Sequence, residues 1–473
     1  MSRSVIAIFD IGRTNKKFLL FDRSYEVVHQ ESQQFEEIVD EDGFISEDIT
    51  AIVKWMKKTF NAHLKNRNRP IRALNFTAYG STLVHVTRTG KPVSPIYNYW
   101  KPISQDVKDA FFSSLGDKDA FMKDTSSPDI GMLNAGLQLY WLKHFRPETY
   151  GKIHTSLFLP QYCSSIFTGR NFSELSSLGL HSMIWDYSKE RSHDWIYNEK
   201  LNSKFPPIIN VTSSEKVVIK NRTIKCGIGI QKSAGALIPY LMSSERTYLS
   251  LNTGCWSFAM NPFDKDPIDL KDLEQDCFMS LSFRGEPIRT SRVFIGREHD
   301  YQVNRICEHF GTTKADLLAL EYDSSIVSKL VENQLDERKF FPQNAPNTGP
   351  LEKRDWPETK LEHFENYKEA YFQLILDLAY MQKAAIKLVI DAKGMDKIFI
   401  SGGFSENIIF TTILSSMLPE IQFFKNNIQC TAALGAALVL HNQWNQETEI
   451  SNLLSFEEIE PDEEIDFDSY ILK

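Results

Sequence analysis

Residues 5–22 read VIAIFDIGRTNKKFLLFD, two apolar runs joined by a short polar turn that opens on Asp10. Ile6 and Ile8 share one face of a strand, residues 18–21 form the second run, and Gly12 falls in the reversal. A residue without a Cβ lets backbone approach a ligand there. Asp10 then projects from the strand end, where a carboxylate can hold Mg2+, usually through water. Thr14 and Asn15 add hydroxyl and amide groups, and Arg13 and Lys16 add cations. An acid beside such donors suits a metal-bridged polyphosphate, so the expected ligand is a nucleotide. A plain β-hairpin would use the same Asp and Gly only to shape its turn, and later segments must decide between the two.

Moving outward, a helix is expected over residues 48–64 and a strand over 71–78, the interleaving of an α/β domain. Residues 91–230 are rich in Pro, Tyr, Trp and Ser. Their loop GKPVSPIYNYWKP (90–102) offers aromatic and amide side chains of the kind a sugar-sized polar ligand needs. Helices are expected near 134–144 and 160–168. A second α/β unit begins near Tyr248 with YLSLNTGCWSFAMN, again strand, tight turn, strand. Residues 316–357 read as irregular. A helix then carries a stripe of Phe364, Tyr367, Tyr371, Leu374, Leu378, Met381, Ala385 and Leu388, the periodicity of a core-facing element. KIFISGGFSEN (397–407) reads as a strand running into a glycine turn, and CTAALGAALVL (430–440) as a helix of small residues. EEIEPDEEIDFD (457–468) reads as a solvated acidic tail. The expected division is 1–240, 241–445 and a tail over 446–473.

The chain has 473 residues, too many for one ordinary core, and its 42% apolar and 24% charged residues are those of a globular protein. A net charge of −9 and the lack of a basic tract argue against nucleic acid as a partner. No apolar run approaches a membrane span and the first residues do not resemble a signal peptide, so a cytoplasmic protein is expected. Six cysteines lack a CxxC pair and eleven histidines lack HExxH spacing, so neither a disulfide framework nor a structural transition metal is expected. Monomer and homodimer both fit.

Taken in order, DIGRTN, LNTGCWS, ISGGFSEN and TAALGAAL resemble the FGGY family of carbohydrate kinases, over about residues 5–440. The resemblance implies an α/β fold of two ribonuclease-H-like domains of the actin and hexokinase type, closing over an interdomain cleft. It implies transfer of a phosphoryl group from ATP, with Mg2+, to a sugar hydroxyl. Asp10, Gly12, Arg13, Thr14, Asn15 and Lys16 match the first phosphate loop, with Asp10 on the metal side. Thr253 and Gly254 match the second, where backbone amides and the hydroxyl would face the phosphates. Gly402, Gly403 and Asn407 match the adenosine-side loop, and residues 432–437, including Ala433, the helix that helps enclose the base. Tyr79, Gly80, His85, Asn98, Tyr99, Trp100 and Gln231 are the substrate-side candidates; a lone histidine on a strand, such as His85, is more often structural.

One departure bears on catalysis. The family carries an aspartate near the domain junction that takes the proton from the attacking hydroxyl. Aligned on ALIPY (236–240), this chain places Gln231 in the preceding slot and Lys232 in the aspartate's own. An ordinary lysine is cationic at neutral pH and cannot accept that proton. Loss of a positioned base costs roughly 10²- to 10⁴-fold in rate, although phosphoryl transfer leans mainly on positioning and charge stabilisation. The sequence therefore leaves three readings: an active sugar kinase with altered base chemistry, a pseudokinase that binds ligand and reports it by closure, and an actin-like ATPase without a sugar.

Overall fold

The computed structural model describes residues 4–243, 247–344, 348–390, 395–426, 428, 430–450 and 453–472. Val5–Ile11 is a strand whose seven residues are all buried. It is apolar almost throughout because both sheet faces are covered. It pairs antiparallel with Lys16–Phe21 and parallel with Ile71–Ala78. Val27–Gln33 extends the sheet at one edge, and Arg222–Gly227 followed by Ser214–Ile219 extends it at the other.

The second half repeats this design. Tyr248–Thr253 pairs antiparallel with Ser257–Asn261 and parallel with Lys397–Gly402. Pro287–Val293 and Gln422–Asn426 flank them in the same relative order. In both sheets the hairpin's first strand and the parallel strand that follows carry their turns to the same sheet edge, where a ligand can lie across the strand ends.

The helix Ile49–His63 covers one face of the first sheet. Asp48 caps it by accepting hydrogen bonds from the Thr50 and Ala51 amides, and Ile52, Met56 and Phe60 are buried beneath it. The opposite face is covered from far along the chain: Ala433, Leu434 and Ala437 of the helix Thr431–Leu438 share a core with Ile6, Ile8 and Leu19. That helix crosses Lys232–Leu241 at a contact so close that a Cβ on Gly435 would stand 1.8 Å from the Gly235 carbonyl oxygen. The long helix Tyr367–Lys387, capped by Asn366, buries Tyr371, Leu374, Leu378, Met381 and Ala385 of its predicted stripe in the second domain, with Tyr367 half-buried beside them. Among the described residues no helix is long and apolar enough to cross a membrane.

Two expectations are corrected. Residues 316–357 are not wholly irregular, since Ser324–Glu332 is an amphipathic helix capped by Asp323, with Val327, Leu330 and Val331 buried. The acidic end is not a solvated tail: Phe456–Ile459 pairs with Gln422–Asn426 as an edge strand. Ile459, Phe467, Tyr470 and Leu472 enter the core, and the Tyr470 hydroxyl donates to Asp377. Acids separate these apolar residues in sequence, and Glu457 and Glu458 face solvent while the apolar ones turn inward.

Candidate active site

The first turn is built as its sequence suggests. The Gly12 amide donates to the Asn15 carbonyl at 3.0 Å, and a Cβ on Gly12 would lie 2.7 Å from that oxygen. Asp10 stands at the strand end, 5% exposed. Lys16 does not reach the ligand space. It is buried against Glu47 and donates to the Arg13 carbonyl at 2.9 Å. Glu47 also pairs with Arg13 at 2.9 Å and accepts from the Tyr79 hydroxyl. Burial first and the Glu47 charge next push the Tyr79 phenol well above its ordinary value, so it remains a donor. Glu47 lies outside every motif, on a short strand 37 residues beyond Asp10; only the fold brings it beneath the turn.

Lys232 is the first residue of the helix Lys232–Leu241, and its Nζ stands 2.7 Å from Asp10 Oδ1. Gln231 caps the same helix, accepting from the Ala234 amide at 2.9 Å and the Ser233 hydroxyl at 2.7 Å. Its amide nitrogen packs toward Gly80, where an added Cβ would come within 3.2 Å.

The second turn is locked to the third. Thr253 Oγ1 donates to the Ser401 carbonyl at 2.7 Å and accepts from the Phe404 amide at 3.0 Å. The hydroxyl expected to face phosphates is thus committed inside the protein. Gly402 has φ +91°, and a Cβ there would stand 1.8 Å from the Thr253 carbonyl oxygen, so glycine is required on both counts. Asn407 is likewise structural: it caps Ile408–Ser416 and donates to the Tyr371 hydroxyl at 2.9 Å.

These turns line one cleft of about 610 Å³. Asp10, Gly12, Arg13, Thr14, Asn15, Lys232, Thr253, Gly254, Gly402 and Gly403 line it together with Tyr79, Gly80, Tyr99 and Gln231. Asp10 and Glu406 are its two carboxylates among the described residues. Sequence reasoning missed Ser81, His181, Trp256 and Arg292 on this lining. Arg292 Nη1 lies 3.0 Å from His181 Nε2 and Nη2 3.1 Å from Asp276, joining the two domains behind the cleft. Burial first and Arg292 second hold His181 well below the ordinary imidazole value, so it accepts from the guanidinium as a neutral ring.

Four further candidates do not reach the lining. His85 is buried on the strand Leu83–Val86 with Nδ1 2.9 Å from Ser156 Oγ. Asn98 accepts from the Trp100 amide to shape its turn. Trp100 stacks on Trp256 at 5.6 Å, bracing the cleft from outside. Ala433 is fully buried in the sheet-facing core, while its neighbours Thr431 and Ala432 line the cleft.

Residues 5–231 match the N-terminal domain of the FGGY family of carbohydrate kinases, and residues 245–448 the FGGY carbohydrate kinase C-terminal domain. The chain belongs to the FGGY family of carbohydrate kinases. An FGGY kinase transfers a phosphoryl group from ATP to a sugar hydroxyl, and the two-sheet cleft is the family's architecture. A carbohydrate kinase from Novosphingobium aromaticivorans shares the fold at 21% identity, with 98% of this chain and 95% of that one covered and a TM-score of 0.73. A ligand-bound xylulose kinase from Lactobacillus acidophilus does so at 14% identity, 97% and 94% coverage and TM-score 0.76. A Plasmodium falciparum glycerol kinase with ADP follows at 13%, 97% and 94%, and 0.71. Among curated proteins none matches by sequence.

Proposed function

We propose that this FGGY kinase is catalytically active with Lys232 as a cation on the transferring phosphoryl group and Asp10 as the acid of the reacting centre. The observation that carries this reading is the Lys232–Asp10 ion pair at 2.7 Å, set between the phosphate turn and the sugar wall. Phosphoryl transfer passes through a loose transition state whose charge lies on the phosphoryl oxygens, so a fixed ammonium beside them supplies stabilisation that a carboxylate would not.

The donor set suits Mg2+. That ion keeps most of its waters and is held by one or two carboxylates plus substrate phosphates, and Asp10 offers a carboxylate with Thr14 close by in the same turn. When bound, Mg2+ would neutralise charge developing on the phosphates. Asp10 would hold it and receive the proton of the attacking hydroxyl, because Lys232 cannot. Gly12, Thr14, Asn15 and Gly254 would place the phosphates, and Gly402 and Gly403 the adenosine side. Tyr79, Tyr99 and Gln231 would orient the sugar, for which ketoses and polyols are the first class to test, given xylulose and glycerol kinases of the same fold. Six free cysteines fit a cytoplasmic setting.

ADP release measured across ketoses and polyols tests the proposal, and at least one sugar should stimulate it. Silence across the panel, with ATP still binding by calorimetry, would make the protein a ligand-binding pseudokinase instead.

A further inference from the structure

His29 and Glu31 are two residues apart on the edge strand Val27–Gln33, so both side chains stand on the same sheet face. The helix Ile49–His63 packs over that face and ends at His63. The three side chains meet there, with ligand atoms all within 4.8 Å of one another. His29 Nε2 lies 3.8 Å and His63 Nε2 3.9 Å from the same carboxylate oxygen, Glu31 Oε2. The imidazole centroids are 4.3 Å apart, and Phe18 backs both rings, 4.9 Å from His63 and 6.3 Å from His29.

These separations are too long for hydrogen bonds. His29 Nε2 is buried and has no hydrogen-bond partner among the described residues. Three ligand atoms therefore converge on one point without satisfying each other. An ion bound by all three would satisfy them. Zinc takes imidazole nitrogen and carboxylate oxygen at about 2.0–2.2 Å, which puts neighbouring ligands roughly 3.4 Å apart. The observed separations exceed that value by about 1.4 Å at most, and Phe18 backs both rings. Glu31 is 39% exposed, which leaves the fourth position to water.

We propose that His29, Glu31 and His63 form a binding site for a divalent transition metal, Zn2+ first, on the outer face of the N-terminal domain. Two imidazoles and one carboxylate are a donor set for zinc or its first-row neighbours, and not for Mg2+, which takes oxygen ligands. The ion would pin the edge strand to the end of the helix. That strand leads to the phosphate turn: Gln34 Nε2 donates to Asn15 Oδ1 at 2.9 Å, and Glu37 pairs with Arg13 at 2.8 Å. The histidine spacing of 34 residues hid the site from motif reading, because two elements supply its ligands.

The full-length protein, stripped with a chelator, is titrated with Co2+ and then Zn2+. One equivalent of Co2+ should give tetrahedral d–d absorption without a thiolate charge-transfer band, and Zn2+ should displace it. Glu31→Gln and His63→Ala should each weaken Zn2+ by more than the ~10- to 100-fold that loss of even an outer-shell partner costs. Zn2+ should raise the melting temperature of the parent and not of Glu31→Gln, which keeps the shape of the exposed side chain should His63→Ala fold poorly. The proposal is overturned if no saturable one-equivalent site is found, if a thiolate band appears, or if Glu31→Gln binds Zn2+ as tightly as the parent. None of these readouts depends on kinase activity.

Discussion

Lys232 Nζ and Asp10 Oδ1, 2.7 Å apart, tie the first turn of the junction helix to the end of the first strand. A cation at a helix N-terminus opposes the macrodipole by about 0.3–1 kcal/mol, so the lysine is placed there against local preference and Asp10 offsets it. Lys232→Met removes the charge and keeps the length. If the ammonium stabilises the phosphoryl group, kcat should fall by roughly 10²-fold, the scale of losing one aimed donor, while KM for the sugar changes little. An unchanged kcat in steady-state assays would sink the role, and a faster Lys232→Asp would mean that the native residue impairs the site.

Asp10→Ala probes the other partner. Asp10 and Glu406 are the two carboxylates of the cleft lining among the described residues, and Asp10 alone belongs to the first turn. Mg-ATP binding by calorimetry should be abolished. Retention of the parent's Kd would remove Asp10 from the metal side.

The sequence made the backbone of this site legible and much of its side-chain wiring not. DIGRTN, NTG and GG are local signals, because a turn between strands needs its small and polar residues adjacent in sequence, and all three turns reach the cleft. Glu47, His181 and Arg292 carry no local signal. Each is a single polar residue with a partner far along the chain, Glu47 with Lys16 at a separation of 31 positions and Arg292 with His181 at 111. Lys16 was misread for the same reason, since a lysine in a phosphate turn looks free until Glu47 is brought beneath it. The acidic end misled through composition: its charge average concealed Ile459, Phe467 and Tyr470, which pack one by one.

Gly435→Val tests the helix crossing that joins the two halves. A Cβ at 435 would meet the Gly235 carbonyl oxygen at 1.8 Å, and backbone on both sides cannot rotate away as a side chain could. Destabilisation should reach at least the ~1–3 kcal/mol of ordinary overpacking, seen as a lower melting temperature. Gly151→Ala is the control: among the described residues nothing lies within 4 Å of its added Cβ and its φ is ordinary, so the melting temperature should hold or rise slightly. Equal melting of both variants would contradict the close approach.

Burial pushes the His85 imidazole down to about 3 from 6.5. Between those values the unfolded chain binds a proton that the folded chain refuses. His85 thus supports stability fully above pH 6.5, and the support is lost as pH falls toward 3, by about 1.4 kcal/mol per unit. Asp377, raised by burial to about 7 from 3.8, acts oppositely: its folded form keeps a proton that the unfolded form releases, so stability falls as pH rises across that window. The two slopes oppose each other between pH 4 and 6.5, and the parent's melting curve alone would show neither. The difference between parent and His85→Gln isolates the histidine, because Asp377 is common to both. Loss of the ring from its buried place should lower the variant's melting temperature at pH 7.5, and the gap should narrow steadily toward pH 5. Parallel curves over that range would mean that His85 titrates as it does in water.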